Sequence, residues 1–138
     1  MADKEKVGRL DEANELIRHI SRHGRRFFYS RQFDRVARFE MGLDGKVWFR
    51  DEYTDKRVYL AYKGRWRGFT NGGTLRRLVE DLYRYIRTGQ QAPRVHLGPW
   101  ASWVCDGDLW GYGREAMDAL RLETAGSPCL TPPKAKAA

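Results

Sequence analysis

No stretch of roughly 18 consecutive apolar residues occurs in the chain, so no membrane-spanning helix is expected. The opening Met-Ala-Asp-Lys-Glu-Lys lacks the apolar segment of a secretory signal. Cysteine is scarce: Cys105 and Cys129 are too few for a disulfide scaffold, which points to a reducing, cytoplasmic setting. No Gly-Lys-Ser or Gly-Lys-Thr is present, so a phosphate-cradling P-loop is excluded, and Gly111-Tyr112-Gly113 is too short for a dinucleotide fingerprint.

Histidine is limited to three residues. His19 and His23 lie one helical turn apart and share a face, but no glutamate follows His19 as the zinc-protease pattern requires. Arg18, Arg22, Arg25 and Arg26 surround the pair and oppose a divalent cation. The two histidines are therefore expected to flank a helix, and no metal is expected. Cys105 has no partner at zinc spacing, and His96 is the one base near it in sequence. Asp106 and Asp108 suit a turn and a helix cap. No cofactor is expected, and a small enzyme of unknown chemistry is the least favoured class.

What the chain does hold is basic charge and aromatic rings. Its 138 residues favour a single domain, and 41% of them are hydrophobic and 13% aromatic. Lysine and arginine number 26 against 18 acidic residues, giving +8 and a sequence pI near 9.8. Two blocks supply the excess. Residues 18–38 carry seven arginines against Asp34, and residues 57–94 carry nine basic residues against Glu80 and Asp81. A basic face follows from such asymmetry; the competing reading is an evenly solvated surface with arginine favoured by codon bias.

The periodicities predict an α+β fold in one domain over residues 1–125. An N-terminal helix is expected from Asp11 to His23, with Leu10, Ala13, Leu16, Ile17 and Ile20 on its buried face and Gly24 ending it. An antiparallel meander of three to four strands follows, over residues 26–30, 35–41, 46–51 and 57–62, with Gly42-Leu43-Asp44-Gly45 as a tight turn. In the third strand Val47 and Phe49 alternate with Trp48 and Arg50, so both faces carry apolar groups. A central helix packed on the sheet is expected from Thr74 to Thr88, with Leu75, Leu78, Val79, Leu82 and Ile86 inward and Arg77–Asp81 and Glu80–Arg84 paired outside. A C-terminal helix is expected from Leu109 or Gly111 to Glu123, with Ala116 and Leu120 inward. Residues 126–138, rich in Pro, Ala and Lys, read as a disordered tail.

One local rule is broken. A helix N-terminus favours acids, and a threonine cap favours Glu or Gln three residues on. With Thr74 as the cap, Arg76 and Arg77 occupy those positions instead, at a cost of about 0.3–1 kcal/mol each. Arg65 and Arg67 lie just upstream. The expectation is an anion site in which Asn71, Gly72, Gly73 and Thr74 offer backbone N–H groups, the four arginines offer bidentate contacts, and Trp66 and Phe69 offer stacking surface. Arg25 and Arg26 extend the basic surface. The competing reading places Trp66 and Phe69 in the core and pairs Arg76 and Arg77 with acids elsewhere. A second aromatic cluster, Trp100, Trp103, Trp110 and Tyr112, is either core or a protein interface.

Three segments, Arg25–Ser30 (RRFFYS), Arg65–Val79 (RWRGFTNGGTLRRLV) and Gly107–Met117 (GDLWGYGREAM), together resemble a group of small uncharacterised accessory proteins of phages and integrative mobile elements of Gram-negative bacteria. That resemblance implies an accessory gene of a mobile element, a setting that includes DNA-handling proteins and inhibitors of host defence. Residues 56–62 followed by the Thr74 helix also resemble the topology of plant AP2 domains, which read DNA with a three-stranded sheet, but the family's tryptophan and arginine pattern is not reproduced. The expected function is binding without catalysis, through a basic-aromatic surface, to nucleic acid or to a host nucleic-acid-handling protein complex. The alternative is an anti-CRISPR or anti-restriction inhibitor of such a complex. No membrane partner is expected, and the oligomeric state is left open.

Overall fold

The computed structural model describes residues 4–23, 28–59, 73–93 and 114–131. Helix α1 spans Lys4–Ser21. All five residues of its expected stripe, Leu10, Ala13, Leu16, Ile17 and Ile20, are buried, while Arg18 and Arg22 face solvent. The helix begins about two turns before the expected Asp11. Polar contacts, invisible to an apolar periodicity, hold those turns: Lys6 Nζ donates to the Gly45 carbonyl at 2.7 Å, and Arg9 Nε to the Ile86 carbonyl at 3.0 Å.

Five strands follow among the described residues: β1 (Tyr29–Ser30), β2 (Arg35–Val36), β3 (Arg38–Met41), β4 (Val47–Arg50) and β5 (Arg57–Tyr59). They form a short β1–β2 hairpin and a separate antiparallel meander, β3–β4–β5, rather than one sheet. The expected strand over 35–41 is interrupted at Ala37, whose N–H turns away to the Phe28 carbonyl at 2.8 Å. The β3–β4 turn is the expected one. The Gly45 N–H donates to the Gly42 carbonyl at 3.0 Å, and Gly45 adopts a φ of 81°, which suits glycine.

The meander's inner face is Phe39 and Met41 from β3, Val47 and Phe49 from β4, and Val58 from β5. Phe39 and Phe49 meet edge to face at 5.3 Å between centroids, and Phe28 meets Phe49 at 6.2 Å. On β3's other edge, Asn14 of α1 substitutes for a neighbouring strand. Its Oδ1 accepts from the Phe39 N–H at 2.6 Å, and its Nδ2 donates to the Phe39 carbonyl at 3.0 Å.

Helix α2 spans Gly73–Thr88 and buries Leu78, Val79, Leu82 and Ile86 against α1 and β4. Gly89 ends it at φ 81°, its N–H returning to the Tyr85 carbonyl at 2.8 Å. On the outer side Arg84 Nη1 lies 3.9 Å from Asp81 Oδ1, three residues back along the helix. Helix α3 spans Arg114–Glu123 and inserts Met117 and Leu120 into the core. The cap expected at Asp108 lies outside the described residues. No helix among those described is long and apolar enough to cross a membrane.

The expected tail needs correction over residues 126–131. Cys129 and Leu130 are buried, Ala92 and Leu130 form a parallel bridge, and the Ala92 N–H donates to the Cys129 carbonyl at 2.8 Å. Composition predicts disorder here, but two apolar side chains and backbone pairing with the segment after α2 anchor these residues. Residues 132–138 lie outside the described part.

Candidate nucleic-acid interface

Most of the surface expected from sequence lies outside the described residues: Arg25, Arg26, Arg65, Trp66, Arg67, Phe69, Asn71 and Gly72, and the aromatic group Trp100, Trp103, Trp110 and Tyr112. His96 and Cys105 lie there too. Gly73, Thr74 and Arg76 are described as helical backbone, and Arg77 is exposed. Since α2 starts at Gly73, Thr74 is its second residue and not the residue before it. Arg76 and Arg77 therefore sit about a turn into the helix, where the terminal dipole has weakened. The first turn still contains no acid.

The described residues assemble a basic-aromatic surface elsewhere, on the outer face of the meander. Strand alternation sends Arg38 and Glu40, Trp48 and Arg50, and Arg57 to the face opposite Phe39, Phe49 and Val58. The register then sets Arg38 opposite Arg50 and Arg50 opposite Arg57, a row of three guanidinium-bearing residues across three strands. Like charges directly opposite destabilise a sheet.

Two carboxylates are shared among these cations and Arg35. Glu40 Oε1 lies 2.5 Å from Arg50 Nε and 4.0 Å from Arg57 Nε, and its Oε2 lies 3.7 Å from Arg38 Nη2. Asp55 contacts Arg50 at 3.4 Å and Arg35 at 3.7 Å. The Glu40 hydrogen bond is the largest influence on Arg50 and raises its pKa further, keeping it charged.

Aromatic rings border the row. The Arg57 guanidinium carbon sits 4.7 Å from the centre of the Trp48 ring, and that of Arg35 sits 4.8 Å from the Phe33 ring. Phe33 and Tyr53 are half-exposed. The β4–β5 loop holds Tyr53 and Asp55 in place. Asp51, fully buried, accepts N–H bonds from Tyr53 at 3.0 Å and Thr54 at 3.1 Å, and Arg35 donates to the Glu52 and Tyr53 carbonyls. The alternation that sets Trp48 and Arg50 on the face opposite Val47 and Phe49 is readable in the sequence, but which of the two faces is buried is not. The row itself depends on cross-strand register, which no single strand displays.

His19 of α1 and His23, two residues beyond the end of that helix, converge on one carboxylate. His19 Nδ1 lies 3.1 Å from Glu123 Oε1, and His23 Nε2 is hydrogen-bonded to Glu123 Oε2. Among the described residues no group of three or more His, Cys, Asp or Glu side chains is placed to hold a metal ion.

Comparison with known proteins places the chain. The model of the YoqU family matches residues 3–126. The chain belongs to the YoqU family. One relative, titled "SPbeta prophage-derived uncharacterized protein YoqU", from Bacillus subtilis strain 168, is 34% identical over 93 residues. That match covers 65% of this chain and 66% of the relative, just under two thirds of its length. A phage-derived family is thus what the three quoted segments signalled. A Gram-negative source for it is not supported, because the YoqU relative comes from a Bacillus prophage. No solved structure matches the chain.

Proposed function

We propose that this YoqU-family protein acts by binding nucleic acid, without catalysis, in the cytoplasm of a cell carrying a mobile element. The contact is made by the outer face of the β3–β4–β5 meander. The observation that carries this reading is the shared set of charges there: Arg35, Arg38, Arg50 and Arg57 divide Glu40 and Asp55 between them. A surface that lines up like charges gives up stability, and a polyanion laid along it recovers that loss. Phosphates would take bidentate contacts from Arg38 and Arg57, the more exposed of the row. Phe33, Trp48 and Tyr53 supply ring faces for unpaired bases or sugars. The net charge of +8 supports attraction at long range.

The test is a salt series of mobility shifts with duplex and single-stranded DNA. Each phosphate contact contributes about 0.9 to the slope of log affinity against log salt. The double variant Arg38→Gln/Arg57→Gln is therefore expected to flatten that slope by about 2. No shift at low salt overturns nucleic-acid binding and leaves inhibition of a host defence complex, through a protein partner, as the reading to pursue.

A further inference from the structure

A second cationic surface lies on the other side of the β3–β4 hairpin. Lys6 from the first turn of α1, Lys46 from the hairpin turn and Arg87 from the last turn of α2 line one open hollow of about 270 Å³. Val47 also lines it, and strand alternation puts Val47 on the opposite face of β4 from Trp48. The hollow is therefore distinct from the arginine row. Tyr83, almost wholly buried, forms part of the wall, and the Arg87 guanidinium carbon lies 5.3 Å from the centre of its ring.

The charges do not balance. Asp44 is the one carboxylate among the described lining residues, and it lies 3.7 Å from Lys46 Nζ. Lys6 Nζ donates to the Gly45 carbonyl at 2.7 Å, a contact that holds the ammonium at the hollow. Arg87 complements the α2 C-terminus, but that task does not require two lysines from distant elements beside it. Three cations, from positions about forty residues apart along the chain, converge on a hollow whose described lining holds one carboxylate. Each cation alone is screened at an open site, and the three together are complementary to a compact doubly charged oxyanion.

We propose that the Lys6–Lys46–Arg87 hollow binds a phosphoryl group, either as free phosphate or on the backbone of a nucleic acid. Arg87 contributes a planar fork and the lysines point charges, and Tyr83 fixes the approach of Arg87.

Thermal unfolding of the full chain tests it, in sodium phosphate against sodium chloride at equal ionic strength. Phosphate is expected to raise the Tm by a few degrees. The variant Lys46→Gln/Arg87→Gln, which leaves the Lys6 contact in place, is expected to lose that rise. Arg18→Gln/Arg22→Gln removes the same charge from the wet face of α1 and is expected to keep it. A second arm measures duplex DNA affinity in the same three proteins. If phosphate alone has no effect but Lys46→Gln/Arg87→Gln flattens the DNA salt slope by about 2 relative to the control pair, the source is a backbone phosphate. An equal phosphate effect in all three proteins overturns the proposal, as does the absence of both effects. The phosphate arm contains no nucleic acid, so its outcome stands apart from that of the sheet-face reading.

Discussion

Two clusters of charge in this molecule use carboxylates in opposite ways. At the seam between α1 and α3, two histidines converge on one carboxylate, Glu123, and Glu15 stands 3.9 Å from His19. Anions there match or exceed the cations, and the ring nitrogens close a gap between two helices that already share a core through Leu16, Ile20, Met117 and Leu120. On the outer face of the meander, four guanidiniums divide two carboxylates. The seam's charges serve the fold. On the face the cations outnumber the carboxylates they contact, and the proposed function assigns that excess to a polyanionic partner. Charge number alone does not separate the two roles; the ratio of cations to nearby carboxylates does.

The comparison is sharpest in neighbouring residues of β3. Phe39 is 1% exposed and packs on Phe49, while Arg38 projects the other way. Phe39→Ala is expected to destabilise the protein by about 3–5 kcal/mol, read from urea denaturation, because both the buried ring and its contacts are lost. Arg38→Gln is expected to move stability by less than about 0.5 kcal/mol, in either direction, while lowering the DNA salt slope by about 1. If Arg38→Gln destabilises the protein as much as Phe39→Ala does, the row belongs to the fold and the distinction between the clusters fails.

The seam is tested through pH. Burial pushes the Glu123 carboxyl upward, but hydrogen bonds from His19 and His23, with the attraction of both rings, outweigh it and hold the pKa below 4.5. A depressed carboxyl contributes stability above its unfolded value, and that stability is lost as pH falls through the folded value. Glu123→Gln is expected to cost about 0.5–1 kcal/mol at pH 6, the modest value proper to a partly exposed pair. The difference from wild type is expected to shrink as pH falls below about 4, where both carry a neutral group. A constant difference down to pH 3 would mean that Glu123 acts by shape and not by charge.

Much of the architecture was legible because it rests on local periodicity. Leu10 to Ile20 in α1 and Leu78 to Ile86 in α2 recur at helical spacing and are buried as expected. The Gly42–Gly45 turn followed from glycines at fixed offsets. Contacts between elements distant in sequence were not legible. The first two turns of α1 are held by carbonyls 39 and 77 residues away. Nothing in the helical pattern marks Asn14, which closes the edge of β3 through the Phe39 backbone. The arginine row needs register across three strands, and the Lys6–Lys46–Arg87 hollow needs three elements brought together. Of the site expected around α2, the described residues contain Arg77 with its side chain and the helical backbone of Gly73, Thr74 and Arg76.

The C-terminal segment separates composition from packing most directly. Cys129 is fully buried, and burial, its largest influence, pushes the thiol pKa up to about 11. A cysteine whose folded pKa is raised favours the neutral form. Its contribution is fully present below the unfolded value and is lost as pH climbs from about 9 through 11. Two consequences follow at once. In a Cys105→Ser background, Cys129 is expected to resist alkylation at pH 8 in the native state and to react fully in denaturant, because the thiolate is the nucleophile and the site is closed. Labelling that instead proceeds at the rate of a free thiol would show that residues 126–131 detach from Ala92 in solution. Cys129 would then be reporting on an open segment, and the anchoring drawn from its burial and from the Ala92–Leu130 bridge would fail with it.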